Sequence, residues 1–566
     1  KSVVRQWQVE LREKFNLNWP IYDGAQLVWA PCPATGGVAT TRKVDNASWH
    51  EEPCVIVSSH LMRRRERADA LISAARPWDI VVVDEAHHAR RRGGGTGTDD
   101  RPNRLLQLLR ALKHRTQGMV LMTATPMQVS PLEVWDLLDL LGLPDGWDQD
   151  AFQRYFELVQ MPNPATDDLA ELAALFRAVE AAFGPVSEDE AARITGLRAF
   201  RIRRHILKPL RETSTIPLRQ MEADDRKAAL KLLKTYTPVQ RLVSRHTRDL
   251  LRQYYRVGKL STPVPSRAVE DKFVELSRQE RDIYERVEEY ISSTYNNTSR
   301  DRKTAVGFVM TTYRRRLASS FYALRETLEG RLDAVMAEQA LSDPYRVDDD
   351  VMDEDLDPAA RDAAEAEELE REALQGEERG DIQALLETVR ALPDDSKAAV
   401  LRRVIEDLRS EGYGQVMVFT QFTDTLDFLR TYLVEQSDFR VMCYSGRGGE
   451  VLRAGAWTHV RRDETKRLFR ERAADVLLCT DAAAEGLNFQ FCGAVVNYDM
   501  PWNPMRVEQR IGRVDRVGQE HPEIRIVNMH YADTVETDVY MALRERIQLF
   551  ETMVGRLQPI LSKLSQ

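Results

Sequence analysis

Trp78-Asp79-Ile80-Val81-Val82-Val83-Asp84-Glu85-Ala86-His87 decides how this chain is read. A short aliphatic run rich in Val and Ile is a strand, and this one delivers two adjacent carboxylates, Asp84 and Glu85, at its carboxyl end. Parallel sheets with crossover helices bind their ligands at that end of the strands. In a nucleoside triphosphatase the first carboxylate of such a pair holds Mg2+ and the second orients and deprotonates the attacking water. A solvated turn after a strand can carry the same two residues, so the neighbouring segments arbitrate.

Outward from that stretch, Cys54–Ser58 and Met119–Met122 are strand candidates of the same kind. The first ends on Ser58, and the second runs into Thr123-Ala124-Thr125-Pro126. Thr123 and Thr125 can hydrogen-bond the acidic pair and link hydrolysis to movement, or they can cap a strand-to-helix turn. From about Pro144 to Leu341 the period becomes helical and dense in Leu, Arg and Glu, with no convincing strand. Strand signals return at Val416–Phe419, Val441–Tyr444, Val476–Cys479, Val495–Tyr498 and Ile524–Asn528. Before them, Asp394-Asp395-Ser396 reads as an N-cap region and Lys397–Arg409 as a helix. The expected fold is α/β, with a first parallel-sheet lobe over 1–143, a helical insertion over 144–342 and an acidic linker over 343–385. A second lobe over 386–545 and a helical extension over 546–566 follow.

Composition bounds the answer further. The 566 residues are 43% hydrophobic and 30% charged, enough for three or four domains of about 150 residues and far from a peptide or fibrous chain. Five cysteines without a CxxC pair argue against a disulfide framework and a structural zinc site, and fit a reducing cytoplasm. No stretch approaches the roughly 18 apolar residues of a membrane span. A net charge of −9 speaks at first against a nucleic-acid partner. However, Asp343 to Asp381 holds 17 acidic residues against four Arg, a local −13 that leaves the rest near +4.

Two segments of the second half carry further chemistry. Gln509-Arg510-Ile511-Gly512-Arg513-Val514-Asp515-Arg516 spaces three arginines by three residues, on an expected helix, so two guanidinium groups can reach a γ-phosphate. A surface ion-pair helix is the plainer alternative. Cys479-Thr480-Asp481 with Glu485-Gly486-Leu487-Asn488-Phe489-Gln490 places polar groups after a buried strand, where they can line a ribose, a phosphate backbone or an interface. The strand ending Phe419-Thr420-Gln421 offers a hydroxyl and an amide to nucleic-acid phosphates.

In this order the segments resemble the superfamily-two helicases, specifically the Swi/Snf-like ATPases. Asp84-Glu85-Ala86-His87 looks like motif II, Thr123-Ala124-Thr125 like motif III and Phe419-Thr420-Gln421 like motif IV. Thr480 through Gln490 looks like motif V and Gln509 through Gln519 like motif VI. Gln6-Trp7-Gln8-Val9-Glu10 and Asp499-Met500-Pro501-Trp502-Asn503-Pro504 are most similar to the bacterial RapA/HepA branch. The resemblance implies two RecA-like lobes that clamp ATP with Mg2+ and track along double-stranded DNA, with RNA or single-stranded DNA as other substrates. It implies that Asp84 coordinates Mg2+, Glu85 activates water, and Arg513 and Arg516 are arginine fingers. Gln509 would lie near the phosphates, and Gly486 and Asn488 near the nucleotide. Thr420, Gln421, Thr480, Asp481 and Ser58 would meet nucleic acid, while Thr123, Thr125 and His87 couple hydrolysis to movement. A protein partner would be RNA polymerase or a subunit of an antiphage system such as DISARM.

One departure counts against the pattern. The family requires a Gly-rich phosphate loop ending in Gly-Lys-Thr or Gly-Lys-Ser, and the chain has none, since Gly258-Lys259 is followed by Leu260 in a helical region. The expectation is that this loop precedes Lys1 in the full-length protein. A catalytically degenerate DNA-binding scaffold for a nuclease, methyltransferase or polymerase is the alternative. Basic clusters at Arg201–His205, Arg241–Lys259 and Arg314–Arg316 can track phosphates or line solvated helices. His87 and His88, adjacent, are expected to point apart, and Arg90 through Gly97 to form a flexible connector.

Overall fold

Alternation decides which faces the strands bury. The computed structural model describes residues 2–31, 37–45, 48–73, 77–91, 101–123, 131–161, 163–297, 303–336, 378–392, 395–481, 488–501 and 503–537, with scattered positions up to 561. Two compact units emerge, one formed by Lys1–His246 and the other beginning at Thr247.

In the first unit, β1 (Ile21–Tyr22), β2 (Gln26–Trp29), β3 (Thr40–Lys43) and β4 (Ile56–Val57) form a sheet of order β3-β2-β1-β4. Only β1 and β4 run parallel within it. A separate parallel pair joins β5 (Trp78–Val83) to β6 (Thr116–Leu121), with Val83 opposite Leu121. The helix Arg104–Lys113 starts on Asn103, whose side chain accepts from the Leu106 amide, and turns Leu105, Leu106, Leu109 and Leu112 inward. They meet Tyr22 and Trp49, whose rings stack at 4.8 Å. Ile80, Val82 and Val120 of the parallel pair are exposed.

The second unit is built on one sheet of order β11-β10-β9-β12-β8-β13-β14-β7. Its strands are β7 (Ser266–Val274), β8 (Val416–Thr420), β9 (Val441–Ser445), β10 (Gly448–Arg453), β11 (Ala456–Val460), β12 (Val476–Thr480), β13 (Ala494–Asn497) and β14 (Glu523–Tyr531). All neighbours are parallel except the β9–β10–β11 meander. Every residue of β8, β9 and β12 is buried, and successive side chains serve opposite cores. Val416, Val418, Cys443 and Leu478 face one, while Met417, Phe419, Met442 and Leu477 face the other.

Three expectations need correcting. The stretch 144–342 is not all helical: β7 lies within it and pairs with β14 over nine registers, from Ser266 opposite Glu523 to Val274 opposite Tyr531. Its charged residues, including Glu270, Asp271 and Lys272, dilute the apolar run that marks the central strands, as suits an edge strand. The same stretch is shared between the units, since the division falls after His246 and the helices Arg278–Asn297, Lys303–Ser319 and Phe321–Met336 belong to the second. The hairpin β10–β11 and strands β1 to β3 have no counterpart among the expected strands. The acidic run lies almost wholly outside the described residues, only its last part opening the helix Glu378–Arg390. The predicted N-cap stands, with Asp395 accepting from the Ala398 amide at the head of Ser396–Ser410.

Candidate nucleotide and nucleic-acid site

The parallel pairing of β5 and β6 sets the candidate groups of the first unit. Two backbone bonds prolong it beyond the strands, from the Met122 amide to the Val83 carbonyl (2.8 Å) and from the Ala86 amide to the Met122 carbonyl (2.9 Å). Asp84 and Glu85 therefore leave β5 beside Met122 and Thr123. Asp84 is exposed and accepts from the Trp7 indole N–H at 2.7 Å and from the Glu85 amide at 2.9 Å. Glu85 is half-buried and has φ +50°, the left-handed region that a branched or long side chain rarely adopts. That backbone turns the chain sharply into the short Ala86–His88 turn.

His87 lies inside this turn, almost fully buried. Its Nδ1 is 3.0 Å from the Thr123 hydroxyl and 3.3 Å from a Glu85 carboxylate oxygen. The imidazole thus joins the acidic pair to the end of β6. His87 and His88 do not point apart: their ring centroids are 4.3 Å apart, because a tight helical turn lacks the two-residue alternation of a strand. Burial pushes His88 down to about 2, helped by His87, Arg63 and Arg90. It is a neutral wall of the site at any working pH. The segment beyond is anchored at Arg91, which with Arg110 grips the fully buried Asp136 at 2.9 and 2.7 Å, and the rest of the expected connector, from Arg92 to Gly97, lies outside the described residues. Ser58 precedes the short helix Ser59–Met62 and is half-buried. Thr125 falls outside the described residues.

In the second unit the polar groups at the strand ends turn inward. Thr420, at the end of β8, donates to Asp499 at 2.6 Å. The Gln421 backbone amide donates to Asp499 at 2.9 Å, and its side-chain amide donates to the Met500 carbonyl at 3.1 Å. Both residues are buried, as is Thr480 at the end of β12. Asp481 takes two bonds from Arg510. Asn488 is half-buried, its Oδ1 without a partner among the described residues, and Gly486 lies outside them.

The arginine segment departs from the expected helix. The helix Pro504–Ile511 stops short, and turns carry the chain through Arg513 and Arg516. Arg510 is 2% exposed and fixed on Asp481, with further bonds to Asp499, so it is not on a common face with the other two. Arg513 donates to the Gln509 carbonyl at 3.2 Å and Arg516 to the Gly512 carbonyl at 2.9 Å. Burial holds the Arg516 guanidinium below its usual range, and among the described residues no carboxylate offsets this effect. A half-buried cation whose charge is not met locally suits an anionic ligand.

The basic clusters are largely neutralised at home. Arg201 pairs with Asp225, Arg203 with Glu188, Arg241 with Glu190, and Arg314 with Glu288. Arg316 is buried, pairs with Asp424 and lies 4.9 Å from the Phe422 ring centroid. Gly258, with φ +73°, closes the helix Arg248–Arg256, as a C-terminal cap and not as a phosphate loop. No described helix is long and apolar enough to cross a membrane.

Comparison with known proteins places this geometry. The sequence matches the SNF2-related domain over residues 1–327 and the helicase conserved C-terminal domain over residues 396–518. It is 37% identical over 183 residues to the uncharacterized ATP-dependent helicase YqhH of Bacillus subtilis, covering 32% of this chain and 30% of that protein. It is 24% identical over 524 residues to the RNA polymerase-associated protein RapA of Vibrio vulnificus, covering 92% of this chain and 41% of that one. The chain thus spans less than half the length of these relatives. The helicase domain of Hef from Pyrococcus furiosus shares 14% identity, with a TM-score of 0.34 over 96% of this chain and 87% of that chain.

Proposed function

Because the chain belongs to the SNF2-related family, we propose that it is the motor of an ATP-driven translocase on double-stranded DNA, of the RapA-like kind. The observation that carries this reading is the acidic pair at the carboxyl end of a parallel strand, with His87 bridging Glu85 to Thr123. An exposed carboxylate is the hard oxygen donor that Mg2+ takes, so Asp84 fits the ion that accompanies ATP. Bound there, Mg2+ neutralises phosphate charge. Glu85, half-buried and turned by its left-handed backbone, orients the attacking water and takes its proton. Arg513 and Arg516 offset the charge that develops on the phosphoryl oxygens. Thr123 responds to that change through His87 and transmits it from the acidic pair to the end of β6.

The RapA likeness supports a nucleoprotein target, with RNA polymerase the first partner to try. The test is the steady-state ATPase rate of the full-length protein with duplex DNA, single-stranded DNA and RNA in parallel at stated salt. Duplex DNA is expected to stimulate most, and Glu85→Gln is expected to abolish turnover while ATP still binds. Unchanged turnover in Glu85→Gln would remove the assignment, and a parent that binds DNA but hydrolyses nothing is the degenerate scaffold.

A further inference from the structure

The turn that carries Arg513 and Arg516 is gripped from a distant part of the sequence. Arg267, on edge strand β7, donates from Nε to Asp515 at 2.6 Å, and from its two terminal nitrogens to the two Glu508 oxygens at 2.7 and 2.8 Å. Its side chain is 2% exposed and that of Asp515 is 0% exposed. Arg248, at the start of the helix Arg248–Arg256, pairs with the Asp515 carboxylate and donates to the Asp515 carbonyl at 3.0 Å. Burial alone would lower the Arg267 guanidinium, but Glu508 and Asp515 outweigh it and hold the group above its ordinary value. Arg248 is instead held below, by burial and then by repulsion from Arg267 despite its pairing with Asp515.

Two features make this more than a stabilising contact. Buried ion clusters lose much of their Coulomb energy to desolvation, and apolar side chains of equal volume often serve stability as well. What they supply is fixed geometry, and here one clamped carboxylate precedes the two arginines and the other lies between them. Glu508 is one helical turn before Gly512, whose amide bonds to its carbonyl at 2.8 Å, and Asp515 lies between Arg513 and Arg516 with its amide on the Ile511 carbonyl at 2.8 Å. A planar guanidinium fork can bridge two carboxylates in one fixed orientation, whereas an ammonium cannot.

We propose that Arg267, seconded by Arg248, is a positioning residue for ATP hydrolysis, fixing the 508–515 segment so that Arg513 and Arg516 present their guanidinium groups to the transferring phosphoryl. This rests on the reading above that those two arginines meet the nucleotide. A misplacement of about 1 Å costs on the order of 100-fold in rate, and the cost falls on the transition state rather than on nucleotide binding.

The test uses the full-length protein carrying Arg267→Lys, which keeps the charge and loses the fork. The readouts are kcat and KM for ATP with duplex DNA, affinity for ADP with aluminium fluoride against ADP alone, and the thermal midpoint. The expected result is a kcat lowered on the order of 10- to 100-fold, with KM nearly unchanged. The preference for ADP with aluminium fluoride over ADP should shrink by a similar factor, and the midpoint should stay above the assay temperature. A parental kcat and a parental preference would overturn the proposal, as would equal losses for both ligands. Should Arg267→Lys unfold, Arg248→Gln at the rim of the cluster carries the same test, with a smaller loss of the same selective kind expected and a parental preference overturning it. Glu85→Gln and Arg516→Lys serve as controls. If both turn over ATP like the parent, the site reading has failed and not the clamp.

Discussion

Replacing Lys397 by Met should expose the most unusual charge in the protein. Lys397 is 0% exposed and donates from Nζ to the Ala318 carbonyl at 2.8 Å and to the two Glu536 oxygens at 3.1 and 3.3 Å. The ammonium also lies 4.5 and 5.2 Å from the Tyr531 and Tyr498 ring centroids. Burial pushes the fully enclosed Glu536 up to about 7, although Lys397 acts in the opposite direction. A carboxyl raised in the folded state is most favourable to folding below its unfolded value of 4.5, and that advantage is lost as pH rises through 7. Keeping this carboxylate ionised in the interior therefore costs on the order of a few kcal/mol above pH 7. Removing the ammonium takes away the strongest of the partners that oppose burial and leaves, among the described residues, only the Tyr531 amide on that carboxylate, so at pH 8 Lys397→Met should cost about 3–5 kcal/mol. At pH 5, where Glu536 takes up a proton, most of this penalty disappears. Thermal melts of parent and variant at the two pH values read the difference, which should be on the order of 10 °C at pH 8 and far smaller at pH 5. Adding Glu536→Gln should restore most of the loss at pH 8. An equal loss at both pH values would refute the argument, because it would mean that Lys397 acts through packing and not through the charge it compensates.

Other outcomes follow from single contacts. Thr123→Ala removes the hydroxyl 3.0 Å from His87 Nδ1; it should cost about 1 kcal/mol or less in stability and leave ATP hydrolysis standing while movement on DNA, measured separately, is lost. Trp7→Phe keeps an aromatic ring but withdraws the indole donor from Asp84; with one competitor for that oxygen gone, nucleotide binding should reach half-saturation at a Mg2+ concentration several-fold lower, as titration with a fluorescent ATP analogue would read. Gly449→Ala would place a Cβ 1.9 Å from the buried Thr465 hydroxyl and 2.9 Å from a Val460 methyl; the overpacking should cost about 1–3 kcal/mol in urea unfolding, with nucleotide affinity unaffected.

The legible parts were those where side-chain type and periodicity agreed. Val416–Thr420, Val441–Ser445 and Val476–Thr480 are apolar on both faces because the sheet covers both, so an unbroken run located each to within a residue. The Asp84-Glu85 pair was readable because an unbroken aliphatic run, Ile80–Val83, leads straight into two adjacent carboxylates, even though Ile80 and Val82 of that run are exposed. Edge and hairpin strands were not readable. β7 carries Glu270, Asp271 and Lys272 among its apolar residues, and its strand identity comes from nine registers of pairing with a segment some 250 residues away. The arginine segment misled in a different way: three-residue spacing promised one helical face, but the helix ends at Ile511, so Arg510 is buried while Arg513 and Arg516 sit on turns. Nothing local to Arg248 or Arg267 announced their grip on Asp515, because that contact depends on the sheet order. The basic clusters stood out in the sequence, yet the carboxylates that answer them come from other helices, which no local charge count reveals.

Translocation on an intact duplex is the central claim, and displacement of a labelled third strand from a DNA triplex measures it directly. The full-length protein is expected to release that strand only with ATP and Mg2+ and without separating the duplex beneath, and Glu85→Gln is expected to release none. Steady ATP turnover on duplex DNA with the third strand left in place would contradict the account.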